Sequence, residues 1–519
     1  MYDFIIIGAG SAGCVMAEGL SSRHSVLLIE AGGSDRGSEV AIPAAFSKLF
    51  KSDRDWNYHS EPEPTAAGRE LYLPRGKMLG GSSSMNAMIY IRGRASDYDS
   101  WEAAGAIGWA WSDVSPVFKA MESNSRGESS HHGVDGPVRV EDLRSPNSLS
   151  RRFVEATLEV GIKANSDFNG ESQEGVGFYQ VTQKRGRRWS AADAFLRPAM
   201  DRPTLTVVTR ATVSRVMLEK GAAVGVEYVK DGQTQSARCA GEVILAAGAF
   251  GSPQILQLSG IGDPDQLGSI GVNTVMANPN VGKHMQDHVV AGVLHHSTMG
   301  GTLDDAENVL ELTRWLAFRR GRLTSNVAEA GAFVRSSSEL HGPDLQFRFG
   351  PVNFDNHGMG PGGGPAYSLG SALINPLARG SVMASSDNPL DAPSIRGNYL
   401  AESSDVAALV RGVGISREIH AAKAFDEVRG EEMLPGSEIQ GPEAIEEFIR
   451  NRAEAFYHPV GTCRMGPADS SVVDAELRVH GIEGLRVADA SVMPGITSGN
   501  TNAPTLMIGA RAVEKILAG

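Results

Sequence analysis

The first thirty residues constrain this chain more than any other stretch. An apolar, β-branched run over residues 3–7 stops at Gly8, the hexapeptide G-A-G-S-A-G occupies 8–13, and residues 14–20 suit a helix. A second apolar run over 25–29 ends at Glu30. This order predicts strand, tight turn, helix and strand, with both strands buried on two faces. In such a turn Gly8 permits the sharp reversal, Gly10 lets a pyrophosphate approach the backbone, and Gly13 lets the helix pack on the strand. Ser11 and Ala12 open the helix, where free N–H groups favour phosphate. Glu30 follows Gly10 by 30 − 10 = 20 residues, the distance at which an acid accepts hydrogen bonds from ribose hydroxyls. An acid there repels a 2′-phosphate and so disfavours NADP. NAD and FAD both remain open on these residues alone.

The chain has 519 residues, too many for one ordinary domain. Glycine numbers 61, well above the usual ~7%, without any G-x-y period, so it is expected to serve turns and close backbone approaches. A net charge of −13 with no long basic run argues against nucleic acid or an anionic membrane as partner, and favours a neutral or cationic small substrate. Cys14, Cys239 and Cys463 are scattered and odd in number, which excludes a disulfide framework and indicates a reducing compartment. No apolar stretch reaches the ~18–20 residues of a membrane span and the N-terminus lacks a signal-peptide pattern, so a soluble, cytoplasmic protein is expected.

Further segments carry a family resemblance. They are R-G-K-M-L-G-G-S-S-S-M-N-A-M over 75–88, V-I-L-A-A-G-A-F-G-S-P-Q-I-L over 243–256, Y-H-P-V-G-T-C-R-M-G over 457–466, V-A-D-A-S-V-M-P over 487–494 and S-G-N-T-N-A-P-T over 498–505. With these in order, the chain closely resembles the glucose–methanol–choline (GMC) oxidoreductases, which oxidise alcohols with FAD. The resemblance implies an α/β (α+β overall) fold in which a Rossmann-like FAD-binding domain (1–155, 200–290 and 456–519) interleaves with a substrate domain (156–199 and 291–455) built on an antiparallel sheet flanked by helices. It implies that Ala31, Gly32, Trp56, Arg75, Met78, Gly80, Gly81, Ser82, Asn86, Ala87, Met88, Ala247, Gly248, Ala490 and Pro504 join the first glycine loop around FAD. Val213 would offer its backbone to the adenine, Asp489 would face the ribityl chain or pyrophosphate, and Thr505 the ring. Where some relatives bond FAD to a histidine, this chain has Met85; a thioether is no nucleophile for that bond, so FAD is expected to be held non-covalently.

Alcohol oxidation by hydride transfer needs a base for the hydroxyl proton, and neutral histidine suits it near pH 7. The resemblance selects His458 as that base and Asn502 as the group that orients the substrate oxygen and also borders the flavin. An amide donates but takes no proton, leaving His458 as the sole base. Among rival constellations, His284 and His288 are spaced i, i+4 and could face one way from a helix as metal ligands, but the zincin glutamate is missing. The pair His131-His132 lies in a Ser/Gly-rich stretch and reads as solvated. No G-x-S-x-G nucleophile elbow occurs.

The region between the cofactor motifs reads as strands over 344–349 and 367–374 and helices near 305–319, 403–421 and 442–452. Alternation of Leu345, Phe347 and Phe349 turns one face towards a core or a pocket. By resemblance Phe347, Phe349, Val352 and Asn353 are candidates for the substrate wall, with ordinary sheet packing the equal alternative. Residues 350–366, with Gly358, Gly360, Gly362, Gly363 and Gly364, read as a loop able to gate access. The reading favoured by all this is FAD-dependent oxidation of an uncharged primary alcohol, aliphatic or aryl, to the aldehyde, with O2 or another acceptor taking the electrons. An NAD-linked dehydrogenase and a non-redox flavoprotein lyase are the alternatives. No metal, nucleic-acid or integral membrane partner is expected, and oligomeric state is left open.

Overall fold

The computed structural model describes residues 1–360 and 363–518. Its first sheet grows from the N-terminal strand Tyr2–Ile7, whose residues 4–7 are buried. That strand pairs in parallel with Val26–Ile29 on one side and with the end of Gln233–Leu245 on the other. Leu205–Val208 and Leu485–Val487 extend the sheet outward, again in parallel. A parallel sheet covered on both faces requires continuous apolar strands, which the N-terminal runs supply. The strand Gln233–Leu245 outgrows this layer, and its first half closes an antiparallel ribbon with Ala222–Lys230 and Ala211–Glu219.

The helix Ser11–Leu20 covers this sheet and packs against the C-terminal helix Asn502–Ala518 at small residues. A Cβ on Gly19 would stand 2.8 Å from the Val513 side chain, and one on Gly509 would stand 2.9 Å from the Ala12 backbone. The two helices therefore approach closely, and their N-termini share one end of the sheet.

The second sheet is antiparallel, in the order Arg429–Leu434, Val289–Ser297, Ala366–Leu373, Leu345–Gly350, Ala330–Val334 and Gly175–Phe178. The helices Ser148–Glu159 and Ser403–Ala421 pack on one of its faces, where Phe153 stacks on Phe349 at 5.0 Å. The helical stretches expected near 305–319, 403–421 and 442–452 are Val309–Phe318, Ser403–Ala421 and Pro442–Arg452. Two segments pack across the expected boundaries: residues 191–199 join the core of the first sheet, and the helix Ser148–Glu159 joins the second. No helix among the described residues is long and apolar enough to cross a membrane.

Two expectations about histidines are corrected. His284 has φ 63° and lies outside any helix, so it does not share a helical face with His288. His132 is not solvated: its ring is 6% exposed and lies between Glu122 (2.9 Å) and Asp167 (2.8 Å). Burial pulls its pKa down, but the hydrogen bonds that the ring donates to Asp167 and Glu122 outweigh burial and push it up to about 9.

Candidate active site

Between the two sheets lies a cavity of about 540 Å³, a size typical of small-molecule sites. The first wall is made of backbone. Gly8 has φ +101°, and a Cβ there would stand 2.4 Å from the Ala246 carbonyl oxygen. Gly81 has φ +52°, and its Cβ would stand 2.7 Å from Gly10 Cα. No L side chain fits either place, so the two glycine loops touch directly and leave a shelf of peptide groups.

The residues expected around FAD divide into two layers. Gly8, Gly10, Ser11, Ala12, Glu30, Ala31, Trp56, Arg75, Gly81, Ser82, Asn86, Ala87, Met88, Val213, Ala247, Gly248, Asp489, Ala490, Asn502 and Thr505 all border the one cavity. Gly13, Gly32, Met78, Gly80 and Pro504 stand behind that surface. Gly13 and Gly32 have packing roles, since a Cβ would meet the Gly8 carbonyl oxygen at 1.9 Å and the Lys77 backbone at 2.0 Å.

The donor and acceptor set of this wall fits a dinucleotide. Glu30 accepts from the Ala9 and Gly32 N–H groups, both at 2.8 Å, which fixes the carboxylate and leaves each oxygen a further lone pair. Burial raises Glu30 to about 7 despite those two donors. The helices opening at Ser11, Gly248 and Asn502 all begin at the cavity, and no side chain caps the first. Their N-terminal dipoles favour an anionic group. Asp489 offsets one of them, accepting from Gly248 N–H at 2.9 Å and Ser252 Oγ at 2.6 Å.

The opposite wall is made of side chains. Tyr457 and His458 lie where Pro459 and Gly461 interrupt regular structure; Tyr457 is left-handed at φ 69°. The Asp287 carboxylate anchors this turn by accepting the His458 backbone N–H at 2.7 Å. His458 Nδ1 lies 2.9 Å from His288 Nδ1, and His288 Nε2 lies 3.1 Å from the Ile374 carbonyl oxygen. The carbonyl can only accept, so the network assigns the His288 proton to Nε2 and makes its Nδ1 an acceptor. His458 must then donate from Nδ1. Its Nε2 keeps a lone pair towards the cavity. Burial, then His288, Arg348 and Arg75, hold His458 well below the usual histidine pKa, so the ring is neutral at pH 7.

The expected partner of His458 is corrected. Asn500, not Asn502, reaches the ring, with its Nδ2 3.3 Å from His458 Nε2. The Asn500 Oδ1 accepts from Gln346 Nε2 at 3.3 Å, which orients the amide. Asn502 begins the C-terminal helix and its Oδ1 accepts from Ser11 Oγ at 2.8 Å, tying the two glycine-side helices together. The helix starts between these neighbours, so their side chains diverge; spacing alone gives no sign of it.

The expected substrate wall is also corrected. Phe347 and Phe349 are fully buried among the helix-facing residues, turned away from the cavity. Val352 packs in a cluster with Phe46, Phe50 and Phe354, and Asn353 accepts from the Asp355 N–H at 3.1 Å; neither borders the cavity. Alternation sends Gln346, Arg348 and Gly350 the other way, and Arg348 and Gly350 border the cavity. Sequence reasoning missed Gln346 and Arg348; the signal was an arginine between two core phenylalanines on a central strand. The loop expected to gate the pocket supplies Phe354, Asp355 and Asn356 to the cavity's edge, and Asp355 pairs with Arg452 at 2.5 Å. Gly362 lies outside the described residues.

Known proteins resemble this chain over its whole length. The GMC oxidoreductase family models match residues 2–290 and 376–509. An alcohol dehydrogenase [acceptor] of Pseudomonas putida is 44% identical, covering 100% of this chain and 96% of its own. An oxygen-dependent choline dehydrogenase of Brucella anthropi is 42% identical over 99% and 95%. Among solved structures, a pyridoxine 4-oxidase from Mesorbium loti superposes with a TM-score of 0.92 at 31% identity, over 100% of this chain and 99% of that one. A formate oxidase of Aspergillus oryzae superposes equally well, TM-score 0.92, at 25% identity over 100% and 98%.

Proposed function

The chain belongs to the GMC oxidoreductases, FAD-dependent enzymes acting on CH–OH donors, and from that premise we propose that it oxidises a primary alcohol to its aldehyde with His458 Nε2 as the base. The observation that carries this reading is the relay Ile374 carbonyl, His288, His458, which fixes the proton on the far nitrogen of His458 and aims a lone pair at the cavity. The glycine shelf, Glu30 and the helix N-termini would hold FAD, which would supply the two-electron acceptor for the carbinol hydride. His458 Nε2 accepts the hydroxyl proton, so the alcohol leaves as aldehyde with no charge left on it. Asn500 Nδ2, beside Nε2, donates to the substrate oxygen as its negative charge develops. Burial, helped by the positive charge of Arg348 and Arg75, keeps the resting imidazole neutral.

Cofactor attachment is non-covalent in this reading, because Met85 occupies the position where relatives bond a histidine to FAD. The substrate domain interleaves with the FAD domain, which brings residues from both sheets to one cavity. Electrons pass onward to O2 or another acceptor. Anaerobic mixing of the yellow protein with a panel of primary alcohols tests the reading. Substrates bleach the flavin, and admission of air distinguishes the two kinds of acceptor by the speed of recolouring. A panel in which no alcohol bleaches the wild-type flavin overturns it.

A further inference from the structure

Arg348 stands on the central strand Leu345–Gly350 and points into the cavity between the sheets. Its Nε and Nη2 are buried without a hydrogen-bond partner. Among the described residues Nη1 makes no hydrogen bond either, and Arg348 borders the cavity. The guanidinium carbon lies 3.5 Å from the centroid of the Phe456 ring, a cation–π contact. That contact leaves every N–H in the guanidinium plane unused. Arginine stays charged even here, where burial lowers its pKa to about 10.

Each neighbour that could balance this charge is committed elsewhere. The Tyr179 hydroxyl donates to the Phe347 carbonyl at 2.8 Å, and the Tyr457 hydroxyl is bonded to His357. Of the cavity's carboxylates, Asp355 pairs with Arg452 at 2.5 Å, Asp391 accepts from Ser386 Oγ at 2.6 Å and Asn388 Nδ2 at 2.9 Å, and Glu454, 3.3 Å from His357, has its pKa raised to about 7 by burial. Glu30 and Asp489 hold backbone N–H groups of the glycine wall. Arg75, the other arginine on the cavity near His458, shows the contrast: it donates to the Tyr457 and Pro74 carbonyls, both at 2.5 Å. A buried charge without a counter-ion is strongly destabilising unless something bound supplies one.

We propose that the missing counter-ion is the substrate's own, so that the alcohol oxidised here carries a carboxylate held by Arg348 while its hydroxyl sits at His458. This rests on the alcohol-oxidation reading above and narrows its substrate class. It also reverses the preference suggested by the chain's net charge. A quaternary ammonium substrate would meet Arg348 with like charge.

The test uses FAD-loaded wild-type protein, Arg348→Met and Arg348→Lys. The alcohols are 4-(hydroxymethyl)benzoate, its methyl ester and benzyl alcohol, read by anaerobic flavin bleaching. In the wild type kcat/KM for the carboxylate is expected to exceed that for the ester at least tenfold. Arg348→Met removes that preference, lowering the carboxylate about 10²-fold and the neutral alcohols far less, while FAD content is unchanged; Arg348→Lys restores part of it. Equal loss on all three alcohols, or no wild-type preference, overturns the proposal. Binding of benzoate against benzamide and tetramethylammonium, followed by perturbation of the flavin spectrum, reads the anion site without turnover. Benzoate binding that depends on Arg348 when no alcohol bleaches the flavin keeps the anion site and sinks the alcohol reading. Bleaching by neutral alcohols with no Arg348-dependent benzoate binding does the reverse. Should Arg348→Met not fold, the wild-type preference among the ligands decides alone.

Discussion

The two walls of the cavity are built on opposite principles. The glycine wall, at Gly8, Gly10 and Gly81, works by leaving side chains out, so that peptide groups themselves face the cavity. The opposite wall works by presenting Arg348, Asn500 and His458 to the cavity, with Asn500 held by Gln346, His458 by His288, and Arg348 lying over the Phe456 ring. At Gly8 and Gly81 this shelf has no room for an added atom. A side-chain wall tolerates substitution of any one member but changes its chemistry. The comparison predicts that cofactor retention and substrate chemistry separate in this molecule, and the following experiments probe that separation.

The largest effect is expected on the glycine wall. Gly8→Ala must force a Cβ to 2.4 Å from a carbonyl oxygen at a φ of +101°. The purified variant should be colourless and melt lower than the wild type. A yellow Gly8→Ala protein with normal FAD content breaks the contrast between the walls.

Next comes His458→Ala, which should slow flavin bleaching by about 10²–10⁴-fold, the usual contribution of a positioned base, with FAD content intact. Loss of FAD along with the rate would mean that the two walls are not separable.

The two asparagines then sharpen the boundary. Asn500→Ala should lower the bleaching rate by about 10²-fold, as loss of an oxyanion donor does, without releasing FAD. Asn502→Ala breaks only the bond to Ser11, costing about 1 kcal/mol, and should weaken FAD retention more than the rate. Reversed outcomes would restore Asn502 as the partner of His458.

The pH dependence follows from the same wall. His458 titrates well below 6.5 because burial and nearby positive charge disfavour its protonated form. As the reactive form is the neutral one, kcat/KM should stay level as pH falls through 6.5 and decline only at lower pH. An acid limb centred near 6.5 that vanishes in His458→Ala contradicts the relay.

The smallest effect lies outside the cavity. His132 has its pKa raised in the folded state to about 9 from 6.5, so its contribution to stability is full below pH 6.5 and is lost as pH rises through 9. The loss is on the order of 3 kcal/mol at most. Thermal melts at pH 6 and pH 9.5 should differ more for the wild type than for His132→Asn, with FAD content equal in both.

What could be read in the sequence follows the same division. Gly8, Gly10 and Glu30 were legible because their spacing is set within one strand–turn–helix–strand unit, where chain geometry alone fixes the distances. Trp56, Arg75 and Asp489 needed a family resemblance, since nothing local links them, yet they border the same cavity. On the sheet wall the alternation of Leu345, Phe347 and Phe349 was visible, but not which face it turned to the helices. That was decided when Phe349 stacked on Phe153, a residue 196 positions earlier (349 − 153). Arg348 was thereby turned into the cavity.

The sequence by itself determined the dinucleotide turn, because there the separation of residues along the chain sets their separation in space, while the fold class and the histidine segment came through the resemblance that its ordered motifs carry. Only the tertiary structure decided that Asn500 rather than Asn502 meets His458, that His288 fixes the proton on its far side, and that a buried arginine without a counter-ion faces the pocket. Those outcomes depend on which of two adjacent faces is buried and on contacts between distant segments, and local spacing encodes neither.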